Sequence, residues 1–402
     1  MRPVKFSAII TILLLQLSVV VSSALAADLV IETYSAYPTQ GNSQSKVWFA
    51  HESWWSWLPF GPSGGRIWRL GQDSVWSAEE HLDRTLRLLP GNADVWTDGD
   101  MAAGALLESG RIVIQALAWD SLKNQYGMSS IPLSIIEEGT AGTITIDREG
   151  EQGAFWICYP LTSGKNVKVV VRRLTPNFRW PVGNSVTLVE KLDANDVCAV
   201  ARVDSTVGIM WSDIKNKVLR FRTRIPGGDE SQWTEPVTAA QIEKIPYDGI
   251  SLCRPPDVRA VKLLAATSAL GKDKDHPVLV LLVLDAAGTW HSLQFAEQTG
   301  SEKPVHPVVF WIFGRPVVAY TLAGQATQEA SINQVLVQQF SPDGSKTLGD
   351  PLPMVPQTDG IDYVSAPKRL PAGGSSLMFC SDYLGRVVEI GLKVAKQSEQ
   401  TN

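Results

Sequence analysis

Apolar and polar residues alternate at period two over short runs along this chain, and no sustained i, i+3, i+4 apolar stripe occurs. The clearest unit runs from Asp196 to Ala240. Val197–Val203 reads as a strand, Asp204-Ser205 as a turn and Val207–Asp213 (V-G-I-M-W-S-D) as a second, very apolar strand. Val218–Ile225 (V-L-R-F-R-T-R-I) alternates large apolar with basic residues, as a half-exposed third strand does, and Gln232-Trp233 opens an outermost strand. Only Ala78–Leu89 admits a helix.

Six more units follow the same plan. Their first strands start near residues 45, 93, 142, 250, 306 and 362, so the spacing is about 48 to 56 residues throughout. That is the period of a four-stranded propeller blade. A blade cannot bury both its faces alone, so the units must stack into a ring. The seventh unit holds three strands before a polar tail, and Leu29–Tyr34 (L-V-I-E-T-Y) is an orphan strand ahead of the first unit. Pairing the two removes an open edge. The expected fold is all-β, a seven-bladed β-propeller of four-stranded antiparallel blades, its N-terminal strand closing the last blade. A pair of sandwiches would not need equal four-strand units.

Residues 1–26 carry Arg2 and Lys5, then the apolar run Phe6–Val21, then small residues at Ala24 and Ala26. This is the form of a secretory signal cleaved after Ala26. The expected organisation is a leader at 1–26, a propeller at 27–395 and a polar tail at 396–402, in a secreted or periplasmic protein. The longest later apolar run, Val278–Leu284, is far too short to span a membrane. Losing the leader removes two basic residues and no acid, taking the formal net charge from −5 to −7. Such acidity argues against nucleic acid as a partner. Charged residues at 19% and 14 Trp argue against disorder. The expected partners are a glycan or an extracellular protein, bound by a monomer.

From Lys46 to about Tyr320 the pieces K-V-W-F-A-H-E-S-W-W-S-W-L-P, A-D-V-W-T-D-G-D, V-G-I-M-W-S-D with R-F-R-T-R, and L-L-V-L-D-A-A-G-T-W resemble secreted bacterial propellers of the broad sialidase-like, Asp-box group. About two-thirds of the chain is covered. The resemblance implies a propeller; for activity it implies only a range of hydrolases, lyases, lectins and scaffolds. The Asp-box pattern S-x-D-x-G-x-T-W is incomplete at Asp285–Trp290 and at Ser341–Gly344. Those boxes are turn-forming devices, so Asp285 is read as structural.

A retaining sialidase site needs clustered arginines, a Tyr–Glu pair and an acid/base Asp. Arg66, Arg69, Arg172, Arg173, Arg220, Arg222 and Arg224 fall mostly in third strands, away from the channel, and read as solvated strand faces. Tyr247-Asp248 and Asp362-Tyr363 sit where first strands begin but are too generic to name a nucleophile. His51, His81, His276, His291 and His306 are scattered, without H-x-H or H-E-x-x-H, and give a metal site no local support. No G-x-S-x-G elbow is present, and Gly61–Gly65 and Gly227-Gly228 read as hairpin loops. Trp54-Trp55-Ser56-Trp57, with Trp48 and Trp68, reads as packing between blades, Trp55 on one face and Trp54 and Trp57 largely off it. Cys158, Cys198, Cys253 and Cys380 have no metal-clip spacing and read as buried free thiols in separate blades or layers.

One position recurs. Asp94, Asp196, Asp248 and Asp362 each lie at the start of a first strand, so rotation places four carboxylates towards one channel entrance. With His306 they form the expected ligand-binding ring, for sugar hydroxyls or a divalent cation; no other cofactor is expected. The competing reading is that each Asp caps its own turn. The expected function is non-catalytic recognition of a glycan or protein at the channel mouth. The alternative is a diverged sialidase-like glycoside hydrolase or a polysaccharide lyase. Convergent arginines and carboxylates at one mouth would favour the enzyme.

Overall fold

A computed structural model describes residues 28–41, 43–61, 64–108, 110–129, 131–175, 184–241, 249–256, 260–270, 276–326, 331–369 and 376–392. The expected leader, the polar tail and Asp248 lie outside them. Seven antiparallel sheets follow one another in chain order. Blade 1 is Val47–Ala50, Ser53–Pro59, Gly65–Leu70 and Trp76–Ala78. The inner strands of blades 2 to 7 are Ala93–Thr97, Thr145–Arg148, Cys198–Val203, Ile250–Cys253, Lys303–Ile312 and Asp362–Ser365. In blade 7, Asp28–Glu32 pairs with Arg386–Leu392 as the outer edge, so the N-terminal strand closes the ring. The helix is short, about two turns over Glu80–Leu86, and its Leu82 and Leu86 pack on blade 1.

The core is a ring of apolar layers between neighbouring blades, because every blade buries both of its faces. Trp48, Trp55 and Trp57 pack against Val95, Ala102 and Leu106 of blade 2. Trp54 and Leu58 turn the other way, onto Phe379 and Val387 of blade 7. Trp55 and Trp57 thus share a face, correcting the expected grouping of Trp57 with Trp54, since residues two apart on a strand point the same way. All four tryptophans are buried. Trp57 is accommodated by two glycines: a Cβ on Gly104 would lie 2.7 Å from its ring, and one on Gly65 2.6 Å from its Nε1.

The incomplete Asp boxes are turns, as expected. Asp285 accepts the Thr289 amide at 2.8 Å, and Asp343 accepts the Ser345 amide at 3.1 Å.

Two substitutions test the closure. Ile31 is buried between blades 7 and 1, whereas Leu29 on the same strand is exposed. Ile31→Ala should cost about 2–5 kcal/mol in chemical denaturation and Leu29→Ala should stay within about 0.5 kcal/mol of the parent. Gly104→Ala should lose about 1–3 kcal/mol by overpacking against Trp57.

Candidate functional site at the channel mouths

The inner strands surround the axis and do not pair with one another by ladder. Their channel-side amides therefore need other acceptors. Short side chains on the neighbouring inner strand supply them. Ser365 Oγ accepts the Lys46 amide at 3.0 Å, and Ser251 Oγ accepts the Val309 amide at 3.1 Å. Thr145 Oγ1 takes Val200 N–H at 3.0 Å and Asp147 Oδ2 takes Arg202 N–H at 2.7 Å.

Asp94 belongs to this stitching. Its two oxygens accept the amides of Ser45 at 2.8 Å and Ile146 at 2.7 Å, joining blades 1, 2 and 3. Lys368, from blade 7, bonds the same carboxylate and the Ile146 carbonyl. The side chain is wholly buried. Burial raises its pKa, opposed first by the Lys368 charge. Beside it, the fully buried Lys46 donates to Gln44 Oε1 at 2.9 Å and Ala93 O at 3.2 Å. Burial pushes its pKa down to about 8, against the pull of Asp94.

The other predicted ring members divide. Asp196 caps its own entry turn, accepting from Asp193 N–H at 2.7 Å, Ser212 Oγ at 2.7 Å and Ile214 N–H at 3.1 Å. Asp362 meets His306, Oδ1 to Nδ1 at 2.7 Å, and the His306 ring stacks on Tyr363 at 4.1 Å. Both of those aromatic residues hold left-handed φ values, 53° and 51°. His306 and Tyr363 line a mouth of about 430 Å³ with Gln40, Gln44, Asn92 and Thr143. This entrance, where the inner strands begin, is polar, and among its described lining residues His306 and Tyr363 are the titratable ones. Asp94 and Asp196 have both oxygens engaged inside the protein, and Asp362 has Oδ1 on His306 and the Tyr363 amide, so the three are not presented as a free carboxylate ring.

The opposite mouth, where inner strands end, is different. A cavity of about 230 Å³ there is lined by Arg202, Arg254, Lys368 and Arg369, against the carboxylates of Asp147 and Glu151. Arg202 is committed: its guanidinium pairs with Glu151 and bonds the Asp204 carbonyl at 2.9 Å. Lys368 is committed to Asp94. Arg369 lies over the Trp96 ring at 5.2 Å. Among the described residues, neither Arg254 nor Arg369 has a carboxylate within salt-bridge distance. Burial, then Arg202 and Arg369, lowers the pKa of the half-buried Arg254 guanidinium. Glu151 is held below the usual carboxylate range by its bond to Arg202, with Arg369 and Arg254 adding to the effect. Its side chain is 70% exposed.

Sequence reading looked for chemistry where inner strands begin and so missed Arg202, Arg254 and Arg369. The available signal was their position at strand ends, in A-R-V-D, L-C-R-P-P and P-K-R-L-P. The third-strand arginines lie away from the channel, as expected, but three of them correct the reading as a solvated face: Arg66 with Asp83, Arg172 with Glu137 and Arg224 with Glu149 form largely buried ion pairs. Among the described residues, no three His, Cys, Asp or Glu side chains gather as a metal site would require. None of the described helices is long and apolar enough to cross a membrane.

No protein-family model and no curated protein matches the chain. Among solved structures it is similar to Saccharomyces cerevisiae Sqt1, at 10% identity and TM-score 0.45, over 91% of this chain and 100% of that one. It is also similar to the AfRom2 CNH domain, at 8% and 0.42, over 92% and 99%. A third is the alpha-L-arabinanase of Cellvibrio cellulosa, at 12% and 0.35, over 66% and 97%. At these values the likeness bears on nothing beyond architecture.

Stitching and capping predict different costs. Asp94→Ala strands two buried amides and the Lys368 ammonium, and should lose about 3–5 kcal/mol in urea titrations. Asp196→Ala should lose about 1 kcal/mol, as a cap does. Lys46 adds a pH signature. The folded protein releases its proton above about pH 8, the unfolded chain only near 10.5. The unfolded state binds more protons in that window, so this group's contribution to stability rises with pH there, by on the order of 3 kcal/mol at most. The stability advantage of Lys46→Met over the parent should therefore shrink between pH 7.5 and 9.5; a constant difference would refute the assignment.

Proposed function

We propose that this chain is an exported, non-catalytic recognition protein that binds an acidic glycan or an acidic segment of an extracellular protein where its inner strands end. The carrying observation is the pair of guanidiniums, Arg254 and Arg369, that face one cavity with no carboxylate partner among the described residues. A half-buried cation near a like charge is costly unless an anion arrives. The protein as a whole is acidic, so this basic mouth also focuses the field on an incoming anion. A cavity of about 230 Å³ suits one acidic sugar residue or one carboxylate side chain rather than a large organic ligand.

A sialidase-like hydrolase is the second reading, favoured by arginines and carboxylates meeting at one mouth. Against it stands the state of those carboxylates. Asp147 uses its oxygens on the amides of Arg148 and Arg202, and Glu151 is kept ionised by Arg202. Neither is set up as the protonated general acid that glycoside cleavage needs.

The test is calorimetric titration of mature protein with oligogalacturonate, neutral oligosaccharides of equal length and a poly-glutamate peptide. Binding of an acidic probe, weakened by salt and reduced roughly a hundredfold in Arg254→Ala/Arg369→Ala, is expected, since each charge-assisted contact is worth about 1.5–3 kcal/mol. Equal binding of neutral probes, or an unaffected double variant, would remove the proposal. Turnover of chromogenic glycosides would move the assignment to the hydrolase.

A further inference from the structure

Cys158 lies on the second strand of blade 3, Phe155–Ser163, and Cys198 opens the inner strand of blade 4. Their sulfurs are 3.2 Å apart across the interface between the two blades. Both side chains are buried, within an apolar layer that includes Trp156, Val171, Val200 and Trp211. All four cysteines are buried free thiols in the structure, as expected, and Cys158 and Cys198 belong to different blades, but stacking brings these two face to face. Cys253 and Cys380 have no second sulfur within such reach among the described residues.

We propose that in the exported protein Cys158 and Cys198 are joined as a disulfide that clasps blade 3 to blade 4. The two sulfurs are already in contact, on strands held by their own ladders. Thr145 pairs with Cys158 in one sheet, and Trp211 with Cys198 in the other. The position in the ring matters as well. In a ring of seven, the interface between blades 3 and 4 stands opposite blade 7, where the N-terminal strand closes the circle. A covalent clasp there restrains the half of the ring that the terminal strand cannot reach. It also ties the inner strand that carries Arg202 to the basic mouth onto the second strand of blade 3.

The step is a thiol–disulfide exchange with a protein disulfide or oxidised glutathione as the oxidant. One cysteine thiolate attacks the donor disulfide, giving a mixed disulfide and expelling one donor thiol. The second cysteine then attacks the mixed disulfide, forming the Cys158–Cys198 bond and releasing the second donor thiol. The donor is reduced by two electrons and takes up the two thiol protons. Burial raises the Cys158 thiol well above its ordinary range. The thiolate is therefore scarce in the folded core, and closure belongs to folding rather than to the finished protein.

The inference rests on the exported location proposed above and is independent of the ligand. Protein expressed with its leader and recovered from outside the cytoplasm should begin at Ala27, take up alkylating agent at only two cysteines when unfolded in urea without reductant, and yield one linked peptide pair containing Cys158 and Cys198. Four alkylated cysteines in leader-cleaved protein would overturn the clasp while leaving export intact. If the leader is not removed, export fails, and refolding decides the clasp alone. The chain is refolded from urea in a glutathione redox buffer; a Cys158–Cys198 link as the sole bridge supports it, and its absence overturns it. Reduction should lower the thermal midpoint of the linked protein to that of Cys158→Ala/Cys198→Ala corrected for its own cavity, and leave the double variant unmoved. A midpoint indifferent to reductant in linked protein would refute the restraint.

Discussion

Everything near the axis depends on one constraint: an inner strand has a neighbour on one side only, and its other edge must be satisfied without a ladder. A strand edge left open is a liability, and an unsatisfied buried amide costs free energy comparable to a lost hydrogen bond. The protein answers with short polar side chains, Ser365, Asp94, Thr145, Asp147 and Ser251, each reaching the backbone of the next inner strand. Using a carboxylate for this has consequences. Asp94 brings a buried negative charge, which draws in Lys368, while Lys46 is buried beside it. A carboxylate bound on both oxygens by amides and on one side by an ammonium has little capacity left for a sugar hydroxyl.

This is why the architecture was legible and the centre was not. Blade count, strand count and the closing N-terminal strand follow from alternation and spacing, which are local properties of the sequence. The Val207–Asp213 run buries nearly every residue because both faces meet other blades, and its unbroken apolar character says so. The role of Asp94 is not local. Its amide partners lie 49 and 52 residues away, one blade to each side, and only the ring brings them together. The Cys158–Cys198 contact is hidden for the same reason, spanning 40 residues across a blade interface. Asp196 shows the opposite case: its partners are in its own turn and hairpin, and capping could be read from the sequence.

The two mouths differ because of the connections that build them. Between inner and second strands, blades 1 and 6 use tight turns, His51-Glu52 and Phe313-Gly314, with both central residues at positive φ, the geometry that suits a two-residue hairpin. Such turns leave no room for a projecting charged loop. Blades 3, 5 and 7 have longer connections at the same level, and these carry Glu151, Arg254, Lys368 and Arg369. The ring is thus regular where it must pack and irregular where the chain is free to vary, and the irregular connections all empty into one cavity. Loops on a rigid scaffold are where binding groups are usually placed.

The charges in that cavity point the same way. A surface loop that served only to connect strands would place its arginines in water, where each is fully hydrated. Here Arg254 is half-buried, near Arg202 and Arg369, and all three share a space that, among the described residues, is lined by two carboxylates. Asp147 is anchored to backbone amides, and Glu151 already serves Arg202. In the proposed reading, the remaining positive charge is costly alone and is offset when an anion enters. Departures from local consistency of this kind collect at functional sites, because the folded state tolerates them only where another interaction offsets them. Asp94 and Asp196 carry no such imbalance, since each accepts hydrogen bonds on both oxygens, Asp94 from neighbouring blades and Asp196 from its own turn and hairpin. Among the described residues, the arginines without a carboxylate partner in this cavity thus face outward, through the mouth where the inner strands end.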